Sequence, residues 1–162
     1  MTTQEPRRYK TIFFDLDGTL LTGGSQTIPE EIFSLIKELK DMGILFVAAS
    51  GRQYANMRNL FLPVRDDMAF ISENGGLAIQ NEKLLYCDSF DKDLVMEIIE
   101  AIHEKKDAEF SCSTKDFYYI MPKTEHYRHL MVEEVNEREV DSIDVLSNHV
   151  YQYKRELEEI IY

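Results

Sequence analysis

Thr11-Ile12-Phe13-Phe14-Asp15-Leu16-Asp17-Gly18-Thr19 is the stretch whose reading decides the fold. A short apolar run ending on two acids and a glycine predicts a buried strand from Tyr9 to Leu16. Alternate residues of an extended strand point the same way, so Asp15 and Asp17 are expected to project together from its carboxyl end. Open α/β sheets bind ligands at that edge. Two neighbouring carboxylates repel, and a shared proton or a divalent cation relieves the conflict. Gly18 permits a sharp turn whose backbone N–H groups are expected to face the same spot. Such a site suits an anionic substrate held by a metal. One carboxylate would attack phosphorus, and the other would protonate the leaving oxygen and later activate water. Asp-x-Asp-Gly-Thr arises by chance in about two chains per thousand of this length, so the segment is specific.

Outward from this strand the pattern repeats. Gly23-Gly24-Ser25 reads as a loop, and Thr27 as the cap of a helix that begins near Pro29. Ile32, Leu35, Ile36 and Leu39 give that helix its apolar face, and Gly43 ends it. Ile44 to Ala49 is a second strand, continuous enough in apolar residues for burial on both faces of a parallel sheet. Ser50-Gly51-Arg52 leads into a helix through Tyr54, Met57 and Leu60, closed before Pro63. Met68 to Ser72 is a third strand, followed by Glu73-Asn74-Gly75-Gly76. Strand, helix, strand, helix, strand predicts an α/β fold: a Rossmann-like, doubly wound parallel sheet.

After Gly76 the pattern changes. Leu77 to Gln80 and Leu84 to Cys87 suggest a hairpin across Asn81-Glu82-Lys83. A helix is expected from Asp91 to about Lys105, with Leu94, Val95, Ile98, Ile99 and Ile102 as its core face. Phe110 to Ser113 and Phe117 to Met121 read as adjacent strands, with a helix from Thr124 to Val135 after them. This order predicts an α+β module over residues 81–162 behind a core of residues 1–80. The chain reaches Tyr162 inside an expected helix.

Composition narrows the function classes. The 162 residues are 44% hydrophobic and 30% charged, which suits a soluble globular protein. The longest apolar run, Ile44 to Ala49, is too short to span a bilayer, and no secretory leader is expected at Met1 to Arg8. Cys87 and Cys112 have no metal spacing and are expected as free thiols of a cytoplasmic protein. The formal net charge is −12, concentrated in the second half. Nucleic acid and membrane are therefore not expected as partners, since polyanions need a basic footprint. All seven glycines lie between Gly18 and Gly76, so any phosphate-cradling loop belongs to the first half.

Ser50-Gly51-Arg52 and Glu73-Asn74-Gly75-Gly76 follow the second and third strands as Asp15 and Asp17 follow the first. A serine hydroxyl and N–H groups at a helix start make an anion site, and Arg52 is expected to grip a substrate oxygen or to pair with Glu73. His126 and His129 share a helix face, a weak metal-ligand pattern. Tyr118, Tyr119, Tyr127, Tyr151 and Tyr153 suit core or strand positions more than a cleft, and Glu133-Glu134 and Glu156 to Glu159 a solvated face.

Taken together, these segments resemble the haloacid dehalogenase-like hydrolase superfamily. Phe13 to Leu20 is similar to its first motif, Ala49 to Arg52 to its second, and Ile71 to Gly76 to the segment leading into the cap of the Cof-type branch. The resemblance implies a phosphatase acting on a small phosphorylated metabolite, with Asp15 as nucleophile and Asp17 as general acid and base. It implies Mg²⁺ held by Asp15 and the Asp17 backbone, phosphate bound by Leu16, Thr19, Ser50, Gly51, Arg52 and Asn74, and substrate choice set by the cap. The family's later lysine and Gly-Asp motifs have no counterpart here: no Gly-Asp dipeptide occurs, and Lys154 is a poor stand-in for the lysine. The expectation is a chain matching the N-terminal part of such an enzyme, stopping within the cap and impaired as a catalyst. The alternative is a non-catalytic fragment that retains the phosphate cradle. A dinucleotide-binding domain is excluded by the missing Gly-x-Gly-x-x-Gly. With the later strands absent, the first strand is expected to leave an open sheet edge that favours self-association.

Overall fold

The computed structural model describes residues 9–23, 25–115, 117–135 and 143–145. The chain divides into two compact units, Met1–Asp88 and Ser89–Tyr162.

The first unit contains β1 (Thr11–Asp15), α1 (Glu30–Asp41), β2 (Leu45–Ala49), α2 (Tyr54–Leu60), β3 (Met68–Ser72), β4 (Leu77–Gln80) and β5 (Lys83–Cys87). They build a five-stranded sheet in the order β1-β2-β3-β4-β5. The first three strands are parallel, and β4 and β5 add antiparallel. The expected Rossmann-like α/β architecture is present.

Phe14, Ala48, Phe70 and Ile79 lie across from one another on successive strands, so they share one face. On that face Phe14 stacks on Phe46 at 4.8 Å, and Phe61 from beyond α2 lies 6.2 Å from Phe46 and 6.1 Å from Phe70. Ile36 of α1 and Tyr54 and Met57 of α2 are buried in the same cluster. Each fully buried side chain of this size contributes about 1.5–3 kcal/mol of transfer free energy. One residue further along, Asp15, Ala49 and Ile71 are in register. The loops after β1, β2 and β3 therefore leave from one edge.

Local chemistry corrects several expectations. Thr27 does not cap α1: Pro29 holds the cap position without a side-chain hydrogen bond, and Thr27 donates its N–H to Ser25 Oγ instead. Gly43 ends α1 as expected, at φ +72. The hairpin turn has two residues, Asn81 and Glu82, with φ +50 and +59, so Lys83 already belongs to β5. Positive φ at both positions is the turn geometry that matches strand twist. Glu82, an awkward residue for it, accepts a hydrogen bond from Arg58 at 3.3 Å. Ile79 faces Leu84 while Ala78 faces Tyr86, which leaves Leu85 as a bulge in β5. The second strand of the hairpin, expected in the module over 81–162, continues the first sheet, and the compact units divide after Asp88.

The second unit contains α3 (Lys92–His103), β6 (Ser111–Ser113), β7 (Tyr118–Ile120), α4 (Glu125–His129) and β8 (Ile143–Val145). β7 is central, antiparallel to β6 and parallel to β8, a strand that the sequence pattern did not reveal. Asp91 caps α3 by accepting from the N–H groups of Asp93 and Leu94. Ile99 is buried with Phe110, Tyr119 and Met121, and Val95, Met96 and Ile102 pack around them. Leu94 and Ile98, expected in the core, are exposed. The ammonium of Lys123 donates to the carbonyls of Ile102, Lys105 and Ala108 at 2.7, 2.5 and 2.8 Å. It thereby ties the last turn of α3 to the loop that follows it. The expected helix over Thr124 to Val135 is α4 followed by a wider π-helical stretch, Leu130–Val135. There His129 pairs with Glu133 at 2.9 Å. Tyr127 donates to the Phe110 carbonyl. Cys87 and Cys112 are free thiols. Among the described residues no helix is long and apolar enough to cross a membrane. Lys154, Tyr151, Tyr153, Glu156 to Glu159 and the expected terminal helix lie outside the described residues.

Candidate active site

β1 delivers Asp15 as its last residue, and Leu16 follows with its side chain wholly buried. Asp15 and Asp17 flank it and are both exposed, as the strand alternation predicts. Beyond them the chain turns sharply at Gly18, φ +82. The turn's N–H groups do not face a ligand position. Gly18 N donates to Leu21 O at 2.9 Å and Thr19 N to Leu16 O at 3.2 Å, so the turn spends its donors on itself. Thr19 is exposed.

Ser50 does not cap α2, whose cap position is Gln53. Its Oγ accepts the N–H of Arg52 at 3.2 Å and, near Asp17, favours that carboxyl's charged form. Its own N–H donates to Ile71 O at 2.9 Å, and Glu73 N donates to Arg52 O at 3.0 Å. These two bonds tie the loops after β2 and β3 together. Glu73 and Asn74 both have positive φ, +51 and +54, which costs about 1–3 kcal/mol each for non-glycine residues. The strain lays the Asn74 carboxamide over Gly51. A Cβ on Gly51 would sit 2.6 Å from Asn74 Oδ1, so only glycine accommodates this approach.

The Arg52 side chain forks onto Asp17, a partner that the sequence did not suggest. Nε donates to Oδ2 at 3.0 Å and Nη2 to Oδ1 at 2.7 Å, the bidentate form of a charge-assisted pair. Asn56 on α2 and Gln26 on the loop before α1 accept from the same guanidinium. The Arg52 hydrogen bonds hold the Asp17 carboxyl below the usual carboxylate range, against the opposing effect of burial, with Ser50 adding to them. No described residue hydrogen-bonds to the Asp15 carboxylate. Asp15, Asp17, Ser50, Gly51, Arg52 and Asn74 thus converge at one sheet edge, linked by backbone and side-chain bonds. Gln26 and Asn56 escaped the sequence. Asn56 lies four residues after Arg52, on the first turn of α2 just beyond it, but Gln26 is remote in sequence and left no signal.

The donor set suits a hard cation. Mg²⁺ is held through one or two carboxylates, with water filling the remaining positions, and Asp15 and Asp17 offer that much. Among the described residues no group of three or more acidic, histidine or cysteine side chains adds to them.

Comparison with known proteins identifies the family. A haloacid dehalogenase-like hydrolase family model matches residues 12–159. The chain is 29% identical over 114 residues to the 5-amino-6-(5-phospho-D-ribitylamino)uracil phosphatase YbjI of Escherichia coli, covering 70% of this chain and 42% of that one. A solved structure from Eubacterium rectale superposes with a TM-score of 0.73 at 26% identity, covering 87% of this chain and 52% of the other. The HAD subclass IIB sugar phosphatase BT4131 shares the fold, with a TM-score of 0.65 at 21% identity over 92% of this chain and 55% of its own. The chain spans about half the length of these proteins. With the family model spanning both units and the paired aspartates at the sheet edge, the chain belongs to the haloacid dehalogenase-like hydrolases.

Proposed function

We propose that this chain is the phosphate-binding part of a Mg²⁺-dependent phosphohydrolase of the Cof type, acting in the cytoplasm on a small phosphomonoester such as a sugar phosphate. The observation that carries this reading is the convergence of Asp15, Asp17, Ser50 and Asn74 at the edge where three parallel strands end. An Asp15 oxygen attacks phosphorus, the P–O ester bond breaks, and an aspartyl-phosphate forms on Asp15. Asp17 gives its proton to the leaving oxygen, then takes one from the water that hydrolyses the acyl-phosphate. Leu16, through its backbone, and Ser50, Gly51 and Asn74 bind the phosphoryl oxygens; the Thr19 N–H is spent on Leu16 O and the Arg52 donors on Asp17, Gln26 and Asn56. Mg²⁺, when bound by Asp15 and Asp17, supplies positive charge against the phosphoryl group. Because Arg52 favours ionised Asp17, the fork has to open before Asp17 can carry the proton its acid role requires.

The missing Gly-Asp and lysine motifs argue for an impaired catalyst, since losing one preorganised charge-stabilising group costs about 10²–10³ in rate. Phosphate release from p-nitrophenyl phosphate and a panel of sugar phosphates, with and without Mg²⁺, tests the reading. The expected result is Mg²⁺-dependent release, about 10²–10³ slower than that of a longer relative. Phosphate binding without turnover would establish the non-catalytic cradle instead. Release that does not depend on Mg²⁺ refutes the metal assignment.

The open edge belongs to the same proposal. β1 is terminal in the sheet among the described residues, Phe13 is 63% exposed, and Lys10 is the charge beside it. Charge, proline or bulges normally protect such an edge. Pairing of β1 with a second copy is the expected outcome, visible as concentration-dependent mass in light scattering. A monodisperse monomer across the series excludes it.

A further inference from the structure

Among the described residues the Arg52 side chain donates twice to Asp17, twice to Gln26 Oε1 at 3.2 Å each, and once to Asn56 Oδ1 at 3.0 Å. A guanidinium has five N–H groups, so no donor is left for a ligand. Its side chain is 19% exposed against 57% for Asp17, which makes the cation the sunken partner and the carboxylate the solvent-facing one. Asn56 is buried, so packing fixes the orientation of its carboxamide. Gln26 approaches from the exposed loop between β1 and α1. The fork is therefore braced from both sides.

We propose that Arg52 is a built-in counter-ion of the Asp15–Asp17 pair that competes with a divalent cation, and that Gln26 and Asn56 set the strength of this competition by bracing the fork. The proposal rests on the reading that Mg²⁺ binds at these aspartates. Both Asp17 carboxylate oxygens are engaged by Arg52, so that carboxylate is neutralised and lends a nearby cation no free charge. A cation held by Asp15 and the Asp17 backbone meets a fixed positive charge at the neighbouring carboxylate. The guanidinium thereby opposes metal binding. Without metal it relieves the carboxylate repulsion that would otherwise strain the edge. The loop carrying Gln26 thereby gains a hold on metal affinity without touching the metal.

Isothermal titration of MgCl₂ into the 162-residue chain tests this without requiring turnover, with circular dichroism confirming that each variant is folded. R52Q is expected to bind Mg²⁺ about tenfold more tightly than wild type, the scale of one charge-assisted contact. R52K should fall between the two, because lysine keeps the charge but loses the planar fork. Q26A, at an exposed position, should shift affinity in the same direction by less, and it decides the matter should R52Q not fold. Unchanged or weaker affinity in R52Q, or in Q26A where R52Q is unfolded, overturns the counter-ion role and leaves the phosphatase reading intact. Absence of Mg²⁺ binding in every protein overturns both.

Discussion

An Asp15→Asn variant is expected to lose about 10³-fold or more of its phosphomonoester hydrolysis, the scale on which removal of a nucleophile is felt. Asparagine keeps the shape of the side chain and removes the charge that makes it a nucleophile toward phosphorus. The substitution should leave the fold alone. Asp15 is exposed at the end of β1, and no described residue hydrogen-bonds to its carboxylate. Surface substitutions of that kind stay within about 0.5 kcal/mol. Loss of activity with an unchanged unfolding curve is therefore the expected pair of results. A variant hydrolysing at the wild-type rate removes Asp15 from the nucleophile's role.

Phe46→Ala is the largest expected change in stability. The ring is 1% exposed, stacks on Phe14 at 4.8 Å and sits between α1, α2 and the sheet. Removing a buried aromatic costs about 3–5 kcal/mol through lost transfer energy and the cavity left behind. A domain stable by about 5–15 kcal/mol would keep little margin. Phe13 on the neighbouring strand provides the control. At 63% exposed, its replacement by alanine should cost about 0.5 kcal/mol or less. Urea unfolding of the two variants checks both values. Comparable losses would show that the core is not centred on the Phe14–Phe46–Phe61 cluster.

What the sequence made legible follows from the range of the forces involved. β1, β2 and β3 were readable because continuous apolar runs ending in Gly-bearing polar loops have few alternatives. The placement of Asp15 and Asp17 followed from strand alternation alone. The hairpin was legible as a hairpin; its continuity with the sheet had a local signal too, since only the four residues Glu73 to Gly76, two of them glycines, join β3 to its antiparallel partner β4. β8 is three residues, too short to show a period. The Gly18 turn was misjudged because a glycine marks where a chain bends and says nothing of where its N–H groups go. The Arg52 fork spans 35 positions to Asp17 and 26 to Gln26, beyond what spacing can encode. Charge supplied candidate partners for Arg52, and only packing chose among them.

The strand order of the first sheet has a kinetic meaning. Each strand from β1 to β5 lies beside its neighbour in sequence, so no ladder waits for a segment from elsewhere in the chain. The β4–β5 turn closes over two residues, and the two parallel ladders each close over a single helical connection. Closure entropy rises only slowly with loop length, so none of these steps is a severe barrier. The parallel ladders still join residues one helix apart, which places the sheet between helical bundles and all-β folds in expected folding rate. A growing chain can lay the strands down one after another, each finding its template in the strand made just before.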